Sequence, residues 1–124
     1  MLVSTKGRYA LRTMMDLAVH SQNGPVKIKD IASRQEISSK YLEQIISILA
    51  REGLVRSLRG NQGGYYLSKE PYAYTVGEIL RAAEGSLAPV DCLRTPENQC
   101  SRKDDCAALK LWEELDKAIG GVVD

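Results

Sequence analysis

Three cysteines lie within a 15-residue stretch, at positions 92, 100 and 106, and the chain has no others. An odd number of thiols confined to one segment is unlike a disulfide framework, which favours an even count spread along a secreted chain. The cluster reads as a ligand set or a redox site. Three thiolates this close suit a soft metal, either an iron–sulfur cluster or zinc. The gaps of seven and five residues are not the C-x2-C pairing of common zinc knuckles, which disfavours zinc. The single histidine, His20, cannot by itself build a Ser-His-Asp triad or a multi-His metal site. No nucleophile–base or acid–base pair has a convincing context, so an enzyme is not expected.

A second kind of chemistry is carried by hydrogen-bonding and cationic side chains in the front half. Lys40, Glu43, Gln44, Ser47 and Arg51 fall on one side of a helical repeat, opposite the apolar stripe Leu42, Ile45, Ile46 and Leu49. A helix with such an outer face can enter the major groove of DNA, where base edges are distinguishable. Shortly after it comes Arg59-Gly60-Asn61-Gln62-Gly63-Gly64, a turn whose glycines let the backbone come close to a partner. Its one arginine, Arg59, can insert a cation into a narrow minor groove. Lys6 and Arg8 near the N-terminus can meet phosphates. The glycines join two strands, and no Gly-Lys-Ser/Thr follows them, which excludes a P-loop.

The elements that must position these groups are legible from periodicity and punctuation. Residues 5–20 predict a helix with Ser4 as N-cap and Ala10, Met14, Leu17 and Ala18 inward. Asn23-Gly24-Pro25 ends it. A short helix over about 29–35, with Ile28, Ile31 and Ala32 inward, is followed by a break at Glu36-Ile37. Ser38 or Ser39 caps the next helix, over about 39–52, with Gly53 placed as its C′ residue. Residues 54–58 and 65–67 predict the two strands of a hairpin. Thr75-Val76-Gly77-Glu78 is a capping box that opens a helix to about 84. Residues 85–103 read as a loop. Residues 104–123 read as a final helix with Ala108, Leu111, Trp112, Leu115, Ile119 and Val122 on one face. The front domain cannot cover that whole stripe, and exposed apolar faces of this size mark an interface. A symmetric dimer would bury it and set two recognition helices on successive turns of DNA.

The fold expected is mainly α with a small β-hairpin: a winged helix-turn-helix over 1–84, a cysteine-containing loop over 85–103 and a long dimerisation helix over 104–124. With 124 residues, 44% hydrophobic and 27% charged, the chain has the composition of one globular domain. Its net charge of +1 conceals an asymmetry. Residues 1–64 hold 10 Lys/Arg against 5 Asp/Glu, whereas residues 65–124 hold 7 against 11. A basic front half suits an anionic partner at one end. No apolar run approaches the ~18 residues of a membrane span, and the N-terminus lacks the apolar core of a signal peptide. A cytoplasmic protein without a membrane partner is expected.

Ser4-Thr5-Lys6-Gly7-Arg8-Tyr9-Ala10, Tyr41-Leu42-Glu43-Gln44, Gly53-Leu54-Val55, Arg59-Gly60 and Gly63-Gly64-Tyr65 closely resemble the bacterial Rrf-two family of regulators, with its IscR, NsrR and CymR types. The match keeps the order and spacing of several motifs over nearly the whole chain. The resemblance implies a homodimeric transcription factor acting on a near-palindromic double-stranded DNA operator. It implies that the helix holding Ser39, Lys40, Glu43 and Gln44 reads the major groove and that Arg59 enters the minor groove. Ser38, Tyr41 and Gly60, with Lys6 and Arg8, complete the expected DNA-binding set. One departure is Glu36, at a turn position where the family often has glycine, which costs strain if φ is positive there.

The cysteine spacing resembles the three-cysteine loop of the cluster-binding branch of that family, with a slightly longer first gap. The cysteine-metabolism branch lacks this triad. The implied cofactor is an iron–sulfur cluster, 2Fe-2S or 4Fe-4S, on Cys92, Cys100 and Cys106, sensing iron–sulfur supply, nitric oxide or iron. The fourth ligand departs from the family. Leu109 stands where IscR-like members have a histidine, and Arg8 where some NsrR-like members have an aspartate. Asp104, Asp105, Glu97, a main-chain group, water or a small thiol are the candidates left. Relatives often continue past the final helix, so the chain is either a truncated or a naturally short form. The alternatives from other classes are a winged-helix module for a protein partner, and a DNA-binding regulator whose cysteines act through zinc or thiol redox.

Overall fold

A computed structural model describes residues 3–124. The leader reading included Met1 and Leu2, which lie outside the described residues. The elements run α1 (Thr5–His20), α2 (Ile28–Gln35), α3 (Ser39–Arg51), β1 (Val55–Leu58), β2 (Gly64–Leu67), α4 (Val76–Glu84) and α5 (Leu109–Val123), with single 3-10 turns at Pro71–Ala73 and Asp91–Leu93. This is the winged helix-turn-helix order with a further helix behind it.

Local chemistry sets the helix starts. The Ser4 side chain accepts from the Gly7 N–H, and the Ser38 side chain accepts from the Tyr41 N–H, so each helix has one of its orphan donors satisfied. At α4 the box closes both ways. Thr75 Oγ1 accepts from the Glu78 N–H at 3.0 Å, and Glu78 Oε2 accepts from the Thr75 N–H at 2.8 Å. Gly53, at φ 76°, follows α3 in the left-handed region.

The core lies where the apolar stripes of α1, α2, α3 and α4 meet. Leu17, Ile31, Leu42, Ile45, Ile46 and Leu49 are fully buried. Each contributes roughly 1.5–3 kcal/mol of apolar transfer energy. The α3 stripe expected from periodicity is the floor of this core. Tyr74 ties the wing to α4: its hydroxyl donates to the Leu54 carbonyl at 2.7 Å and accepts from the Ser68 N–H at 2.9 Å.

The hairpin is antiparallel, in the register Val55↔Leu67, Arg56↔Tyr66, Ser57↔Tyr65 and Leu58↔Gly64. A third segment joins it. Val26 and Tyr65 exchange both backbone hydrogen bonds at 2.8 Å, so the chain entering α2 is stitched to the wing. Gly64 makes this approach possible, because a Cβ there would stand 2.6 Å from the Val26 carbonyl oxygen.

One expectation needs correction. The final helix begins at Leu109, not at residue 104. Residues 101–105 form exposed turns with i→i+3 bonds, such as Asp105 N–H to the Arg102 carbonyl at 3.0 Å. That stretch, Ser-Arg-Lys-Asp-Asp, has no apolar side chain to bury, and burial is what holds short helices together. Cys106 therefore precedes the helix. Within the 85–103 segment Cys92 sits in the 3-10 turn Asp91–Leu93.

Candidate nucleic-acid interface and the cysteine segment

The turn between α2 and α3 contains Glu36, Ile37 and Ser38. Glu36 adopts φ 54°, ψ 47°, so the strain expected from a non-glycine residue there is present. Buried Ile37 anchors the turn to the core. Ser39, Lys40, Glu43 and Gln44 are all exposed along α3, opposite its buried stripe. Ser38 is exposed and occupied as the N-cap. Tyr41 stands apart from this set. It is half-buried, its ring 5.7 Å from that of Tyr9 in an edge-on arrangement, and it seals the seam between α1 and α3.

At the wing tip Arg59 and Gly60 are exposed, with Gly60 at φ 103°. Lys6 and Arg8 are exposed on the first turns of α1, and Arg8 Nη2 donates to Thr5 Oγ1 at 3.0 Å. The structure thus offers a polar, hydrogen-bonding helix face followed by a cationic loop tip. Such a pair can present donors and acceptors to base edges and a guanidinium to a groove.

The largest element of the site that sequence reasoning missed is a carboxylate. Asp16 of α1 is buried, and both its oxygens are engaged. Arg34 donates to it through Nε at 2.9 Å and Nη2 at 2.7 Å, and Gln35 Nε2 donates at 2.9 Å. Burial pushes the Asp16 carboxyl up. The hydrogen bonds from Arg34 and Gln35 and the Arg34 charge outweigh that and hold it below the usual carboxylate range. In the structure Asp16 falls beside Thr13 and Leu17 on the inward side of α1, and no local pattern in the sequence names its partner.

The thiols are all free. Cys92 is half-buried, whereas Cys100 and Cys106 are exposed. The Cys100 N–H donates to Asn98 Oδ1 at 2.8 Å, and the Cys106 carbonyl accepts from the Leu109 N–H at 3.3 Å. Among the described residues, no three His, Cys, Asp or Glu side chains come together to hold a metal. The donor chemistry fits a thiophilic group, with three uncommitted thiols on a segment of turns.

This arrangement is that of a winged helix-turn-helix DNA-binding protein. Residues 3–124 match the profile of the Rrf2 family, described as iron-dependent transcriptional regulator. Over its whole length the chain is 41% identical to the HTH-type transcriptional regulator IscR of Yersinia enterocolitica, 74% of which it covers. It superposes on CymR, the global cysteine regulator of B. subtilis, with a TM-score of 0.83 at 40% identity, over all of this chain and 90% of that one. The IscR of T. potens gives a TM-score of 0.79 at 44% identity, over all of this chain and 80% of that one. The chain belongs to the Rrf2 family of transcriptional regulators, which are not enzymes. No helix among the described residues is long and apolar enough to cross a membrane.

Proposed function

We propose that the protein is a homodimeric, sequence-specific DNA-binding regulator whose operator affinity responds to an iron–sulfur cluster. The observation that carries the DNA-reading part is the exposed polar face of α3, with Ser39, Lys40, Glu43 and Gln44, leading into a wing tipped by Arg59. In this reading α3 enters the major groove, and Glu43 accepts from cytosine N4 or repels wrong contacts. Arg59 enters the minor groove, and Lys6 and Arg8 meet phosphates.

The dimer reading rests on α5. None of its residues is buried, and Leu111, Leu115 and Val122 are 57%, 42% and 85% exposed. A second copy laid on that face would bury it and pair the recognition helices. The cofactor reading rests on Cys92, Cys100 and Cys106, which would hold the cluster. When bound, it would supply redox and nitric-oxide-sensitive chemistry to the regulator. Coupling then runs from the cysteine segment through α5 to the spacing of the two α3 helices. By linkage, a cluster that favours the DNA-competent state binds more tightly when DNA is present.

A second reading is favoured by the separation of the three thiols: they act by zinc binding or thiol redox in a regulator that still binds DNA. One preparation separates the two. The protein is purified without oxygen beside a Cys92→Ala/Cys100→Ala/Cys106→Ala variant, and its absorbance, iron and acid-labile sulfide per chain are measured. A brown protein with stoichiometric iron and sulfide, lost in the variant, is expected. A colourless protein that still binds DNA would sink the cluster reading. Binding to duplex DNA should fall steeply with salt through counterion release. A chain that binds no duplex would instead be a protein-interaction module.

A further inference from the structure

We propose that Asp16 and Arg12 of α1 form a positioning clamp on the turn before α3, so that affinity for a preferred duplex, but not general affinity for DNA, depends on them. The inference rests on the reading of α3 as the DNA-reading helix. The clamp is built from one face of α1, since residues 12 and 16 are neighbours one helical turn apart. Together they grip the last two residues of α2. Asp16 takes the Arg34 fork and the Gln35 amide, as described above. Arg12 Nε donates to Gln35 Oε1 at 3.2 Å, and Arg12 Nη2 donates to the Gln35 backbone carbonyl. Gln35 is therefore held at its side-chain oxygen, its side-chain nitrogen and its main chain.

Three physical points make this a device for the turn. The Gln35 carbonyl belongs to the last turn of α2, where carbonyls lack helical partners and a cation is favoured. The next residue is Glu36, in the left-handed conformation that an L side chain adopts only under strain. The contacts on Gln35 hold the backbone at the entrance to that strained turn. Among the described residues Asp16 is also the one buried charged side chain, Thr13 being the other buried polar one. A buried ion pair is a poor source of net stability, because apolar replacements often do as well. What it gives is geometry, since its oxygens accept only from correctly aimed donors.

The consequence lies at α3. Three residues separate α2 from α3, and buried Ile37 fixes only one point of the turn. The clamp fixes a second, outside the reach of the core. The buried stripe of α3 sets its packing on α1; with both points of the turn fixed as well, the N-terminal end of its outer face, at Ser39 and Lys40, has one placement. Hydrogen bonds to base edges fail with small displacements, whereas charge attraction to phosphates does not. Loss of the clamp should therefore reduce discrimination and leave electrostatic binding intact.

The test uses the full chain. A preferred duplex is first selected from a random pool with the unsubstituted protein, and a scrambled duplex of equal length serves as control. Asp16→Asn should weaken binding to the selected duplex by roughly tenfold and to the scrambled duplex by less than about twofold, with the same salt slope. Gln35→Ala leaves the Arg34–Asp16 pair in place and carries the same expectation if Asp16→Asn fails to fold. An equal loss on both duplexes, or no loss on the selected one, would overturn the clamp. If the unsubstituted protein selects no duplex at all, the DNA-reading role of α3 fails, and the clamp with it.

Discussion

Asp16 has its charge out of water, and acid should expose this. Its carboxyl is held below the ordinary value of 3.8 by Arg34 and Gln35 against the upward push of burial. A depressed folded pKa gives stability that is fully present above the unfolded value and lost as pH falls through the folded one. The unsubstituted protein should therefore lose thermal stability below about pH 4 more steeply than Asp16→Asn, whose Tm should start lower at neutral pH. Parallel Tm curves for the two proteins would show that the Arg34 pairing does not stabilise the fold. At the wing, Arg59 is exposed and pairs with no carboxylate among the described residues. Arg59→Ala should leave Tm unchanged and weaken operator binding by roughly 1–3 kcal/mol. Unchanged affinity across several operators, read by fluorescence anisotropy, would remove Arg59 from the interface.

At the scale of elements, α4 depends on its cap. It has nine residues, too few to persist alone, and its first turn is closed by Thr75 and Glu78. Glu78 is held below its ordinary range by the Thr75 backbone N–H and by Lys69. Thr75→Ala should cost about 1 kcal/mol and lower Tm by a few degrees, whereas Thr75→Ser should retain most of that. Differential scanning calorimetry of the three proteins checks this, and equal Tm values would mean that packing on α1 alone holds α4. The capping box was legible in the sequence because its parts lie three residues apart. The start of α5 was not legible. Ser101, Arg102, Lys103, Asp104 and Asp105 are compatible with a helix by composition, but no neighbour covers them, and all five are exposed.

At the scale of the molecule, α1 is the common bar. Its N-terminus is tied to α4, where Glu84 Oε1 accepts from the Ser4 N–H at 3.0 Å and from the Ser4 hydroxyl. Gly7 lets that carboxylate in, because a Cβ there would overlap it. The same last turn of α4 reaches α5 through Arg81, whose Nη1 and Nη2 donate to Asp124 at 2.6 and 3.1 Å. The body therefore holds α5 by few contacts while its apolar face stays open. If α5 is the dimer interface proposed above, Leu115→Glu should leave the helical circular dichroism of the protein intact and shift it from dimer to monomer in sedimentation velocity. It should also weaken operator binding, since paired half-sites need paired readers. A variant that remains dimeric would place the interface elsewhere.

The sequence by itself determined most of the elements and named the candidate residues of the interface. The stripe Leu42, Ile45, Ile46 and Leu49, the caps Ser4 and Thr75, Gly53 after α3, and the glycine turn carrying Arg59 are local patterns, written within a few residues of one another. Glu36 as a strained turn was legible for the same reason. Tertiary structure alone decided that Asp16 is buried under Arg34, that Val26 pairs with Tyr65, that Tyr41 seals a seam, and that Ser4 meets Glu84 across 80 residues of chain. These depend on which faces come together once the core closes. A carboxylate has the same local signature whether it ends in water or under a guanidinium, so only packing assigns it a partner.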